Sequence, residues 1–220
     1  SEIGFPRADP APGNYADWKG QQTQFENIAA LAPQSFSLTG DGDPERVLAN
    51  AITADLFPLL GSAPQIGRNF TADEDQPGGP KVVLLSHGLW QSRYAADPSI
   101  SGRAIILDDQ KFTVVGVMPA GFQFLSNTVG LWVPLALTPQ QLADRDSGFL
   151  KVIGRMKPGV SVPQAQAAKQ DDARQGERQG DDVEPQVELD EARTDRRLAT
   201  LIYFQLFHVR KPRPHEPTDH

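Results

Sequence analysis

The most constraining feature of this chain is its punctuation. Apolar residues come in short runs, and 19 glycines and 19 prolines are spread along the chain that separates them. Lys81–Leu85, Ala104–Leu107, Phe112–Met118, Leu131–Leu137 and Leu150–Met156 each have the length of one buried strand and fall short of a core helix. The chain therefore reads as strand-dense, with helices few and brief. The longest apolar run, Leu198–Val209, is well short of the roughly 18–20 residues that a membrane-spanning helix needs.

A chain of 220 residues has room for a real core in one or two domains. Its 21 Lys and Arg against 28 Asp and Glu give a formal charge of −7. That balance argues against a nucleic-acid partner, because phosphate contacts need clustered cations. Cysteine is absent, which excludes disulfides, thiolate metal sites and a cysteine nucleophile. Ser1–Pro12 has no basic start and no apolar stretch, so it is not expected to be a signal peptide.

Periodicity predicts a helix over Tyr15–Leu31. Tyr15, Trp18, Gln22, Phe25 and Ala29 recur at spacings of three and four, with Asn14 as N-cap and Pro33 as the stop. Ser35–Thr39 and Arg46–Thr53 read as a hairpin around Gly40-Asp41-Gly42-Asp43-Pro44. Ala54–Leu60 reads as a short helix closed by Gly61. Residues 61–80 read mostly as loop. His87–Ala96 reads as a helix capped by Ser86. Lys157-Pro158-Gly159 turns the chain into a last helix from about Ser161. More than half of residues 169–197 are charged, so this stretch is expected to bury little. Arg210–His220 is expected to be a disordered tail.

The residues assemble no catalytic, cofactor-binding or metal-binding constellation, and no cofactor is expected. His87, His208, His215 and His220 lack ligand spacing. Ser86-His87 lacks a nucleophile elbow, and Ser86 reads as a helix cap. Asp41, Asp43 and Glu45 alternate like a calcium loop but miss its glycine and its closing glutamate, so they read as a hairpin turn. Asp73-Glu74-Asp75 reads as a solvated helix start. Trp18, Trp90 and Trp132 sit in apolar patterns and read as core. Phe122, Phe124 and Leu125 lie in a Gly-containing loop, and Phe57 lies beside a helix end. Exposed, they would mark a partner surface; buried, they are ordinary core.

An ordered series of phrases carries more than any one of them. It runs through Asn14-Tyr15-Ala16-Asp17-Trp18, then Leu38-Thr39-Gly40-Asp41-Gly42-Asp43-Pro44-Glu45-Arg46-Val47, then Phe57-Pro58-Leu59-Leu60-Gly61. It continues with Val82-Val83-Leu84-Leu85-Ser86-His87-Gly88-Leu89-Trp90 and Phe112-Thr113-Val114-Val115-Gly116-Val117-Met118-Pro119. Leu131-Trp132-Val133-Pro134-Leu135 and Val152-Ile153-Gly154-Arg155-Met156-Lys157-Pro158-Gly159-Val160 close it. Over about residues 14–168 this series resembles the MacB-like periplasmic core domain of ABC-transporter permeases of the FtsX/MacB type.

The resemblance implies an α+β fold. A porter-like β-α-β subdomain would come from both chain ends, residues 1–55 and 148–197, around a β-rich Sabre-like insert, residues 56–147. Residues 198–220 would be an atypical apolar run and a disordered tail. It implies a non-catalytic, extracytoplasmic (periplasmic) domain of an inner-membrane protein that couples cytoplasmic ATP hydrolysis to substrate or partner handling outside the membrane. The implied partners are a cytoplasmic ATPase subunit reached through membrane helices and a periplasmic adaptor or lipoprotein, with a homodimer in the full-length protein. The alternative is a free-standing soluble binding module derived from a truncated permease.

Overall fold

A computed structural model describes residues 7–20, 24–122, 124, 126, 128–161, 163–165, 167, 183–192 and 201–210. In chain order these form β1 (Arg7–Ala8), α1 (Pro12–Gly20), β2 (Phe25–Thr39), β3 (Glu45–Ile52), α2 (Leu56–Leu59), β4 (Ile66–Gly67) and β5 (Val82–Leu85). Then come α3 (His87–Tyr94), β6 (Ala104–Leu107), β7 (Gln110–Val117), β8 (Leu131–Pro134), α4 (Pro139–Ala143), β9 (Lys151–Met156), β10 (Val183–Ala192) and β11 (Leu201–Arg210). The strands make one mixed sheet in the order β1-β11-β9-β2-β3-β8-β5-β7-β4. β10 lies along the other edge of β11, and β6 pairs with both β2 and β7.

The hairpin forms as expected: β2 and β3 pair antiparallel from Leu38↔Glu45 to Leu31↔Ile52. Helix α3 is capped by Ser86, whose hydroxyl accepts the Leu89 N–H at 3.1 Å. The tight turn between β6 and β7 places Asp108 and Asp109 at φ 45° and 61°, left-handed values that suit a two-residue hairpin loop.

The helix expected over Tyr15–Leu31 is a correction. It stops at Gly20, and Phe25 begins a 15-residue strand. The reason is visible in the packing. Ile28, Ala30 and Ala32 join a core with Tyr15 and Trp18, while Ala29 and Leu31 join another with Phe57 and Leu84. This is a period of two with both faces buried, and a continuous apolar run of that kind is indistinguishable from a helix in sequence. Asn14 is not the N-cap either. It lies inside α1, and its Oδ1 accepts the Ala11 N–H at 3.1 Å. Pro33 stops nothing: it lies within β2, opposite Asn50. β9 accompanies β2 only as far as Leu31 and β6 joins only at Leu38. Pro33 therefore sits where one side of β2 is unpaired among the described residues, so its missing N–H costs no ladder bond.

The C-terminal third also departs from expectation. Residues 163–165 are helical, but the charged stretch contains β10, paired along its whole length with β11. The apolar run set apart at 198–220 supplies β11 itself, antiparallel to β9 through Leu201↔Arg155 to Phe204↔Val152. Leu-Ile-Tyr-Phe is rich in β-branched and aromatic residues, which suit a strand. The expected tail after Arg210 lies outside the described residues.

Alternation divides the interior into layers. Val82 and Leu84 of β5 face the Phe57 layer, and Val83 and Leu85 face the layer under α3. On β9, Val152 joins the α1 layer and Ile153 the Phe57 layer.

Candidate functional site

Two concave regions among the described residues are candidate sites. The larger, about 380 Å³, lies between α1, the start of α2 and the segment that follows β8; the smaller, about 300 Å³, lies at the start of α3.

The larger one is built on Asp75. Its Oδ2 accepts the Ala54 N–H at 2.9 Å and its Oδ1 accepts the Ala136 N–H at 2.8 Å. One carboxylate thus holds the chain just before α2 and just after β8. Ala136 has φ 46°, a left-handed value that an alanine rarely adopts, and the Asp75 bond holds its N–H in place. Burial pushes the Asp75 carboxyl up, against the pull of the Ala136 and Ala54 N–H groups. Across the cavity, Lys19 Nζ donates to Tyr15 Oη at 3.1 Å and to Asp55 Oδ2 at 2.7 Å. Burial alone would lower the Lys19 pKa, but Tyr15 and Asp55 outweigh it and raise it. Burial raises the Tyr15 phenol, with Lys19 opposing. Thr53 completes the wall: its Oγ1 accepts the Ala30 N–H at 3.1 Å. Leu135, Leu137 and Leu142 supply the apolar side.

The acidic run is therefore a second correction. Asp73-Glu74-Asp75 was expected to be solvated, yet Glu74 is 7% exposed. Arg68 donates to its two oxygens at 2.8 and 2.7 Å, and the Thr71 N–H donates at 2.9 Å. Hydrogen bonds from Arg68 hold the Glu74 carboxyl below its ordinary value. Its contribution to stability is then fully present above the usual carboxylate pKa and is lost as pH falls through the lowered one. Replacing Glu74 by glutamine is expected to cost about 1.5–3 kcal/mol at neutral pH. In acid-dependent chemical unfolding the gap to the parent protein should begin to narrow as pH falls through the ordinary carboxylate range, about pH 4, and go on narrowing below it. A gap that is independent of pH would show that the charge of Glu74 contributes nothing.

The smaller region brings together Ser86, His87, Met118, Phe122 and Trp132. Ser86 is committed to capping α3, and His87 stacks edge-on against Trp90 at 5.4 Å. Phe122 stacks edge-on with Phe57 at 5.3 Å and with Trp132 at 5.7 Å. Phe122 and Phe124 are half-buried and pack against the Phe57 layer. Leu125 lies outside the described residues.

The β2–β3 turn is clasped from α3 and from the segment that leads into β6. Arg93 Nη1 donates to the Asp43 carbonyl at 2.6 Å, and Arg103 pairs with Asp41 at 2.9 Å. Of the three acids read as a turn, Asp41 and Asp43 lie in the β2–β3 connection and Glu45 opens β3. Among the described residues, no group of three or more His, Asp or Glu is placed to hold a metal ion. No described helix is long and apolar enough to cross a membrane.

Tyr15, Lys19, Thr53 and Asp75 are the cavity residues that sequence reading missed. They come from three separate segments, α1, the point just after β3 and the loop before β5, and share no motif, and the only legible signal was polar residues among apolar neighbours.

A continuous mixed sheet, helices packed sparsely on it and a polar junction holding two chain crossings define an α+β scaffold. The sequence signature of the MacB-like periplasmic core domain matches residues 3–171. The fold is similar to the periplasmic region of MacB from Actinobacillus actinomycetemcomitans, at 15% identity and TM-score 0.58, covering 74% of this chain and 72% of that one. It is similar to a domain of a permease protein from Porphyromonas gingivalis, at 13% identity and TM-score 0.59, covering 94% and 84%. It is also similar to the extracellular domain of the ABC-type transporter YknZ from Gram-positive bacteria, at 15% identity and TM-score 0.56, covering 76% and 82%. Comparison with curated proteins by sequence returns no match. The chain belongs to the MacB-like periplasmic core domain family, the extracytoplasmic part of ABC-transporter permeases.

Proposed function

We propose that this chain is the coupling domain of an ABC-transporter permease and is itself non-catalytic. A cytoplasmic ATPase moves the membrane helices, and the domain carries that movement to a substrate, adaptor or lipoprotein outside the membrane. In this reading residues 1–55 and 148–197 form the base, extended by β11, and residues 56–147 form the insert. The full-length permease works as a homodimer. The stretch that holds Phe122, Phe124 and Leu125 belongs to the surface that a partner meets.

One observation carries the reading. The first and last described strands pair antiparallel, Arg7↔Phe207 and Ala8↔Leu206. The chain thus enters and leaves at one place, and two membrane tethers attached there would move as neighbours. Force applied to them passes through β11 and β9 into β2, and β2 continues into the insert through β3 and β6. Coupling of this kind needs packed, bistable contacts rather than reacting groups.

The strand geometry is tested by an Ala8→Cys, Leu206→Cys pair in this otherwise cysteine-free chain. Antiparallel partners lie about 4.5–5.5 Å apart at Cα, within disulfide range. A bond should form on mild oxidation with the circular dichroism spectrum unchanged; no bond would remove the shared point of attachment. Function is tested with the chain between its permease membrane helices and the cognate ATPase in proteoliposomes. Replacing the domain by a flexible linker should leave ATP turnover but abolish its stimulation by substrate. Stimulation unchanged by the replacement would overturn the reading.

A further inference from the structure

We propose that the cavity between α1 and the segment after β8 is a binding site for small amphipathic amines, held by Asp75 at one wall and by leucines at the other. The inference stands apart from the coupling function.

Shape and charge carry it. The cavity measures about 380 Å³, within the range of about 300–1,000 Å³ typical of small-ligand sites. Leu135, Leu137 and Leu142 line one side, and Tyr15, Lys19 and Asp75 line the other. Two carboxylates and one ammonium meet here, but they are not equally matched. Lys19 is spent on Asp55, at 2.7 Å, and on the Tyr15 hydroxyl. Among the described residues, the hydrogen-bond donors to Asp75 are two neutral backbone N–H groups, from Ala54 and Ala136. Each of its oxygens keeps a further lone pair. Among the described residues no cation pairs with Asp75 at contact distance, and Lys19 acts on it only through space.

Burial disfavours the charged form of Asp75 more than the two N–H groups and the more distant Lys19 favour it, and an incoming ammonium would supply a positive charge in direct contact. A charge-assisted hydrogen bond to the carboxylate is stronger than a neutral one. The alkyl body of the same ligand would cover Leu135 and Leu137, which are half-buried and pack against the α1 core. An anion meets the opposite conditions, with Asp75 repelling it and Lys19 already engaged. A neutral amphiphile would gain the leucines but leave Asp75 as it was.

The full 220-residue chain, isotope-labelled, is titrated at pH 7 and 0.15 M salt with hexylamine, hexanol and hexanoate, and the amide resonances are followed. Hexylamine is expected to give saturable shifts at Ala54, Asp75 and Ala136. Hexanol should bind about tenfold or more weakly, which is the discrimination expected of one charge-assisted contact, and hexanoate should not saturate. Asp75→Asn should lose about the same factor. If that variant is poorly folded, Leu137→Trp, which fills the apolar side without touching the carboxylate, should abolish the shifts while the spectrum stays dispersed. Equal affinity for hexanol or hexanoate, shifts scattered over the acidic surface, or no saturation by hexylamine would each overturn the proposal.

Discussion

Replacing Phe57 by alanine is expected to lower folding stability by about 3–5 kcal/mol, the cost of truncating a fully buried aromatic ring. Phe57 is 1% exposed and is held edge-on between Phe122 at 5.3 Å and Trp132 at 5.5 Å. Such pairs add to the area term. The loss is therefore also local: Phe122 would lose one of its two ring partners, and the loop after β7 would loosen. Urea unfolding followed by circular dichroism measures the first effect, and amide exchange across residues 119–130 measures the second. Phe57→Leu keeps most of the volume and should cost far less, about 1–1.5 kcal/mol. A Phe57→Ala cost below about 1.5 kcal/mol would mean that this layer closes over the gap or that the ring is not buried.

Asp75→Ala is the second large effect, at about 2–4 kcal/mol, because it strips the acceptor from two half-buried N–H groups at once. Asp75→Asn keeps one acceptor oxygen and should cost less. The pH dependence is diagnostic. Burial raises the Asp75 carboxyl in the folded protein, so the native state holds its proton more tightly than the unfolded chain does. The contribution of Asp75 is then greatest in acid and declines as pH rises from the unfolded to the raised folded pKa. Glu74, one residue away, has the opposite slope because Arg68 lowers it. Chemical unfolding of the parent, Glu74→Gln and Asp75→Asn between acid and neutral pH should show the two opposed trends. Parallel trends would mean that the two neighbours do not sit in different surroundings.

Much of the fold was legible because it is local. The β2–β3 hairpin announces itself through Gly40-Asp41-Gly42-Asp43-Pro44, and the cap of α3 through Ser86. Val82–Leu85 and Lys151–Met156 have the length and composition of buried strands. Phe25–Leu31 was not legible. Its spacing continues the period of α1, and only pairing with β9 and burial on both faces, against the α1 layer and the Phe57 layer, make it a strand. The stretch 183–192 reads as solvated charge, yet it pairs with β11 through backbone bonds that its composition does not advertise.

The cavity was less legible than the fold. Tyr15 and Lys19 lie one turn apart on a helix, but Asp55, Asp75 and Ala136 reach them only through the tertiary path of the chain. The acidic run Asp73-Glu74-Asp75 looks uniform in sequence. In the structure, Glu74 turns to Arg68 and Asp75 turns to two distant N–H groups, because a six-residue loop brings Arg68 within reach of one and the sheet brings Ala54 and Ala136 to the other. By itself the sequence determined most of the short strands, the β2–β3 and β6–β7 turns, the cap of α3 and the family, since these depend on neighbours and on order along the chain. Tertiary structure alone decided the fate of Phe25–Leu31, the place of β11 and the charge balance around Asp75. Each of these depends on which surfaces come together, and no local pattern carries that information.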